Sequence, residues 1–179
     1  VADDDDPFAG FESGPGDMHL NALVQLDDGT LLLVGEAGLL ARSRNGGETW
    51  TVLDEIYTGS FFGALALPGN AVLVYGMRGN AFRSTDGGDS WQRSETPQTI
   101  SLFGGQLDDA GRVILVGGSN SVLVSDDGGA SFREALPGGR AVLADVLPLS
   151  GGAGWLTVGE SGVRVQTPPV ADAARGDRS

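Results

Sequence analysis

Three octapeptides carry the densest set of side chains able to do chemistry. Ser43-Arg44-Asn45-Gly46-Gly47-Glu48-Thr49-Trp50 returns as Ser84-Thr85-Asp86-Gly87-Gly88-Asp89-Ser90-Trp91, and again as Ser125-Asp126-Asp127-Gly128-Gly129-Ala130-Ser131-Phe132. Each sets a serine hydroxyl two residues before an Asx side chain, followed by two glycines, a second hydroxyl (Thr49, Ser90 or Ser131) and an aromatic ring. A short side-chain oxygen at Asn45, Asp86 or Asp127 accepts backbone N–H groups of its own tight turn. Gly47, Gly88 and Gly129 supply positive φ. The serines close the hairpin, and Trp50, Trp91 and Phe132 are expected to be largely buried beneath it, each contributing about 2–3 kcal/mol through area alone. This is the chemistry of a stable turn, and no catalytic role is assigned to it.

Other reactive groups are sparse. With no cysteine, the chain has no disulfide, thiolate nucleophile or iron–sulfur cluster, and all 11 of its Lys+Arg cations are arginine, which excludes Schiff-base chemistry and a P-loop. One histidine, His19, excludes a multi-histidine metal centre. Two-carboxylate glycoside hydrolysis needs an Asp/Glu pair, and Glu36 and Glu160 are candidates. Both follow a repeated glycine, so they read as equivalent, solvated loop ends. The Asp3 to Asp6 run could attract calcium, but four consecutive aspartates lack EF-hand spacing and read as a solvated charge run. No metal and no cofactor is expected. A net charge of −13 argues against nucleic acid and against an anionic membrane surface.

The elements that must position these residues repeat with them. The serines fall at positions 43, 84 and 125, and Gly35, Gly76 and Gly117 stand eight residues ahead of each. Leu31 to Val34, Ala71 to Tyr75 and Val113 to Val116 lead into those glycines. A partial fourth copy runs from Trp155 to Val158 through Gly159 to Gly162-Val163-Arg164-Val165-Gln166-Thr167, with Pro168-Pro169 where the aspartate turn would be. Asp-Gly and Asn-Gly between β-formers are hairpin signals. The first unit reads as strands over 21–26, 31–34, 39–43 and 49–53. Thirty glycines alongside 40% hydrophobic residues suit a turn-rich all-β chain, and no run keeps helical periodicity. A period near 41 residues with four strands per unit is that of a β-propeller blade.

The expected fold is therefore all-β: a β-propeller of four-stranded antiparallel blades, four repeats of a larger propeller. Residues 1–17 read as an acidic Gly/Pro-rich connector, with a short strand over 7–11 able to complete the last blade. The repeats occupy about 18–57, 58–98, 99–139 and 140–168, and 169–179 read as a flexible tail.

The octapeptides resemble the Asp-box, or bacterial neuraminidase repeat. With the upstream glycine and the Arg42-Ser43 and Arg83-Ser84 pairs, residues 18 to 167 are similar to the propellers of the photosystem II assembly and stability factor-like family. Asn45 departs from the box aspartate, Phe132 from its tryptophan, and Val124 and Gln166 stand where the arginine belongs in the third and fourth copies. The resemblance implies a bacterial, periplasmic or otherwise extracytoplasmic scaffold that binds a protein partner, with a membrane transporter or membrane complex as its class. Remaining blades would come from a longer chain or a second subunit. Glu36, Arg42, Arg78, Arg83, Asn120 and Glu160 are the candidate partner-binding residues. Scaffold positions repeat, whereas Glu36-Ala37, Met77-Arg78, Ser119-Asn120 and Glu160-Ser161 vary at equivalent turns, as a recognition face requires. A secreted sialidase- or xyloglucanase-like glycoside hydrolase is the alternative. The sialidase form lacks its arginine triad, and Tyr75 reads as a core residue rather than a nucleophile.

Overall fold

Short apolar runs separated by glycine turns pair locally, and the chain folds into successive antiparallel sheets. The computed structural model describes residues 18–136 and 138–167. The connector, the strand expected over 7–11, Asp3 to Asp6 and the tail over 169–179 lie outside the described residues.

The first sheet joins β1 (Leu20–Gln25), β2 (Leu31–Gly35), β3 (Leu40–Ser43) and β4 (Thr51–Val52) in that order. The second joins β5 (Phe61–Leu67), β6 (Ala71–Gly76), β7 (Ala81–Ser84) and β8 (Gln92–Arg93). The third joins β9 (Leu102–Leu107), β10 (Val113–Gly117), β11 (Val122–Ser125) and β12 (Arg133–Glu134). The fourth holds β13 (Leu143–Leu149), β14 (Gly154–Gly159) and β15 (Gly162–Gln166). Helical structure among the described residues is confined to three-residue 3-10 turns. Antiparallel meanders stacked face to face are propeller blades, and the all-β propeller fold stands.

Alternation along each second strand divides the core between two seams. Val72 and Val74 of β6 join Leu32 and Val34 of the first blade with Phe61 and Phe82, while Leu73 and Tyr75 join Val113, Leu115 and Leu123 of the third. Ile114 and Val116 then meet Val146 and Trp155 of the fourth. All six residues of β6 are buried, because a strand between two blades loses both faces to packing. The innermost strands lie side by side, β1 with β5, β5 with β9 and β9 with β13. Among the described residues, no hydrophobic cluster joins the first blade to the fourth.

The repeated glycines have a cause beyond turn geometry. Each blade's first strand opens on a register shift, at Leu20/Ala22, Phe61/Gly63, Leu102/Gly104 and Leu143/Asp145. The bulge presses the backbone before that strand onto the glycine ending the second strand. A Cβ at Gly35, Gly76, Gly117 or Gly159 would lie 2.6, 2.2, 2.0 or 2.0 Å from the carbonyl oxygen of His19, Ser60, Ser101 or Val142. Their backbone is extended where φ is recorded, −158, −179 and −167° at the first three, so close approach rather than positive φ demands glycine.

Three expectations are corrected. Trp50 and Trp91 are half-buried, not largely buried, and only Phe132 reaches the core at 8% exposure. Both indoles pack on apolar clusters without being fully covered, Trp50 against Leu33 and Ala41 and Trp91 against the cluster of Leu32 and Val72. In the fourth blade the arginine position is Val165, not Gln166: Val165 pairs with Leu156 as Arg83 pairs with Leu73 and Arg42 with Leu32. The turn equivalent to Glu36-Ala37 and Met77-Arg78 is Gly118-Ser119, one residue before Ser119-Asn120, because Gly117, like Gly35 and Gly76, directly precedes its turn.

Candidate functional site

The three octapeptide turns share one hydrogen-bond scheme. Ser43 Oγ donates to Asn45 Oδ1 at 2.9 Å, and Gly47 N and Thr49 N donate to Ser43 Oγ and Asn45 Oδ1 at 2.9 and 3.0 Å. The same bonds measure 2.7, 2.8 and 2.9 Å around Ser84 and Asp86, and 2.7, 2.8 and 2.9 Å around Ser125 and Asp127. The carboxylates accept one bond more, from Ser90 Oγ at 2.5 Å and Ser131 Oγ at 2.6 Å. In the first turn the amide reverses that bond, with Asn45 Nδ2 donating to Thr49 Oγ1 at 2.9 Å. Hydrogen bonds from the hydroxyl and N–H of Ser90, and from Ser84, hold Asp86 down to about 2. Ser131 and Ser125 do the same for Asp127, also to about 2. A carboxylate so heavily bonded within its own turn is committed to that turn.

These turns also stitch blades together. Arg42 Nη1 reaches Gly87 O at 3.0 Å and Asp89 Oδ1 at 2.6 Å in the next blade, and Arg44 Nη2 adds a bond to Asp89 at 3.2 Å. Asp89 was not singled out in the sequence. Its signal is the variable position after the second glycine, filled by Glu48 in the first turn and Ala130 in the third. Arg83 therefore faces a turn without a carboxylate at that place, and its buried Nε has no hydrogen-bond partner among the described residues. Trp91 Nε1 shares that state, whereas Trp50 Nε1 donates to Gly47 O at 3.1 Å. The second seam is sealed instead by bonds to backbone carbonyls: Ser94 Oγ donates to Gly129 O at 2.6 Å and Phe132 N to Glu95 O at 2.8 Å. A cleft of about 350 Å³ lies at the first seam, lined by Arg42, Asp54, Asp89 and Trp91.

The opposite ends of the blades carry the turns after the repeated glycines. Glu36, Met77, Gly118 and Glu160 each donate a backbone N–H to His19, Ser60, Ser101 or Val142 O, at 3.1, 3.0, 3.0 and 3.0 Å. The next residue enters the left-handed region in three of them, at φ 50° for Ala37, 57° for Arg78 and 53° for Ser119. Gly38 and Gly79 then continue at positive φ, and Asn120 takes that place at 54°. The backbone is common; the side chains differ. Glu36 takes His19 Nδ1 at 2.9 Å and His19 N at 3.2 Å, which lowers its carboxyl from the ordinary value. Glu160 Oε2 accepts Val142 N at 3.0 Å. Both carboxylates thus cap the start of their own blade's first strand. Arg78 projects into solvent from a backbone pinned by Ser101 Oγ at 3.2 Å.

Glu36, Arg78, Asn120 and Glu160 consequently share one end of the strands, and Arg42 and Arg83 lie toward the other. The six do not form one patch. Buried Tyr75, whose phenol is pushed well above its usual range by burial first and by Asp145 second, sits in the core.

No family model matches the chain, and no curated protein does. Solved structures do. One described as YCF48 bound to D1 peptide aligns at TM-score 0.57 and 17% identity over 86% of this chain and 54% of its own. A catalytically inactive virginiamycin B lyase from Staphylococcus aureus with quinupristin aligns at 0.63 and 16%, over 86% and 57%. An ancestral GH74 enzyme aligns at 0.57 and 16%, over 83% and 25%. At such identities the likeness is one of fold, and the chain spans little more than half the length of the first two. These neighbours include a peptide-bound assembly and enzymes.

Proposed function

We propose that the chain is a non-catalytic interaction module of the Asp-box type, similar to the photosystem II assembly and stability factor-like propellers. It acts outside the cytoplasm as an assembly or accessory factor for a membrane protein complex, with further blades supplied by a longer polypeptide or a second subunit. One observation carries the reading: turns of a single backbone geometry present Ala37, Arg78 and Ser119 as different side chains at one end of adjoining blades. A rigid frame that varies only its exposed tips is suited to recognition. The YCF48 neighbour, bound to D1 peptide, supports a protein partner. The octapeptide carboxylates, by contrast, are spent on their own turns.

Affinity enrichment from detergent-solubilised membranes tests this. The wild-type chain should retain an integral membrane protein that Arg78→Ala with Ser119→Ala releases at unchanged melting temperature. Equal recovery by the variant removes this end from the account. The GH74 neighbour gives the hydrolase reading its own assay. Turnover of sialosides or β-glucans abolished by replacing one Asp or Glu would put that reading first.

A further inference from the structure

Asn45-Gly46 stands where the second and third turns carry Asp86-Gly87 and Asp127-Gly128. Of the asparagines at 21, 45, 70, 80 and 120, Asn45 alone is followed by glycine. An amide in that place has a covalent reaction open to it. The backbone nitrogen of the next residue can attack the side-chain carbonyl carbon and close a succinimide ring, and glycine puts no Cβ in the way.

The turn supplies what that reaction needs. Asn45 and Gly46 are both exposed, and a Cβ at Gly46 would meet nothing within 4 Å, so the nucleophile has room to approach. In the second turn Gly87 N is tied to Asn70 O at 3.1 Å, whereas Gly46 N donates to no acceptor among the described residues. The electrophile is held in place. Ser43 Oγ and Thr49 N donate to Asn45 Oδ1 at 2.9 and 3.0 Å, so charge gathering on that oxygen during attack meets two donors already aimed at it. The leaving nitrogen, Nδ2, makes one bond, to Thr49 Oγ1 at 2.9 Å.

We propose that Asn45 is a self-modification site, converted to aspartate through a succinimide formed with Gly46 N. The N–Cγ bond forms as the Cγ–Nδ2 bond breaks, and Nδ2 leaves as ammonia with the proton of the Gly46 amide. Water then opens the ring. Addition at Cγ restores the ordinary backbone and leaves an aspartate at position 45. Addition at the main-chain carbonyl gives isoaspartate, with the chain rerouted through Cβ and Cγ. The fold favours the first product, because Ser43 Oγ and Thr49 N polarise Cγ and because an aspartate there finds its bonds waiting. Asp86 and Asp127 accept the same two donors, and the hydroxyls of Ser90 and Ser131 besides. Thr49 Oγ1 can donate likewise once the amide is gone. Isoaspartate lengthens the main chain inside a turn whose bonds are fixed. The modification makes the first turn chemically equal to the other two. This inference goes beyond the binding role above and does not depend on it.

Peptide mass spectrometry of the folded chain, kept in warm and mildly alkaline buffer, is the test. Residues 43–50 should gain the mass of an amide-to-acid exchange while Asn21, Asn70, Asn80 and Asn120 stay amides. Aspartate should outnumber isoaspartate in the folded chain, and the order should reverse in urea, where the donors to Oδ1 are lost. Gly46→Ala, shown to be folded by circular dichroism, should lose ammonia several-fold more slowly, because its Cβ crowds the nucleophile. Asn45→Asp, the product made directly, should unfold at a urea concentration no lower than the wild type. An Asn45 that stays an amide in the folded chain overturns the proposal. So does isoaspartate as the main folded-state product, a Gly46→Ala variant that reacts as fast, or an Asn45→Asp variant that unfolds earlier.

Discussion

Arg42 on β3 of the first blade holds Asp89 in the octapeptide turn of the second, with Nη1 2.6 Å from Oδ1 and 3.0 Å from Gly87 O. The arginine is nearly buried and the carboxylate is mostly exposed. Their attraction is screened on one side, and the carbonyl bond is independent of it. In a double-mutant cycle read by urea unfolding, the coupling should be about 1 kcal/mol or less and should shrink with salt. Arg42→Ala should cost more than Asp89→Ala, because it also strips Gly87 O of its donor. The reverse order would mean the ion pair dominates the seam.

The octapeptide carboxylates should be replaceable by amides but not by alanine. Asp86→Ala and Asp127→Ala are expected to cost about 1–3 kcal/mol each, as turn N–H groups lose their acceptor. Asp86→Asn should retain most of that stability, since Asn45 already makes the equivalent bonds in the first turn. Asn45→Ala should cost less than Asp86→Ala, because a charged acceptor bonds more strongly than a neutral one. Thermal unfolding of the four variants decides the ranking.

Acid should unfold the protein partly through these two groups. Asp86 and Asp127 lie at about 2 when folded against an ordinary 3.8. Their pKa values are depressed, so their contribution is fully present above pH 4 and fades as pH falls toward 2. Both are largely solvent-facing, so the effect is modest. The urea midpoint should drop between pH 4 and pH 2, and Asp86→Asn with Asp127→Asn should flatten that drop. An equal slope in the variant would place the acid sensitivity elsewhere.

Glycines of two kinds should respond differently. Gly76→Ala or Gly117→Ala drives a Cβ to within 2.2 or 2.0 Å of a backbone carbonyl and should destabilise by about 3 kcal/mol or more. Gly29→Ala meets nothing within 4 Å and only sacrifices a φ of +88°, which costs about 1 kcal/mol. Chemical denaturation of the purified variants distinguishes them.

The blade order was legible because one period carried both the apolar runs and the turn glycines, so strands such as Leu31–Gly35 and Ala71–Gly76 fall where alternation and Gly punctuation put them. Register was less so. The one-residue displacements at Val165 and Gly118-Ser119 arose because the fourth repeat has no Asx turn to anchor it and the third repeat has Gly118 beside Gly117. The seam contacts could not be read at all. That Asp89 meets Arg42, and that Glu36 and Glu160 cap strands rather than stand free, depends on neighbours 47 and about 18 positions away.

Site-specific photo-crosslinking in a membrane fraction tests the central claim most directly. A photoreactive residue at position 78 samples the variable turns, and one at position 44 samples the opposite end at a site that is also exposed. The account predicts a discrete adduct with an integral membrane protein from position 78 and none from position 44. Adducts from position 44 alone, or none from either, would contradict it.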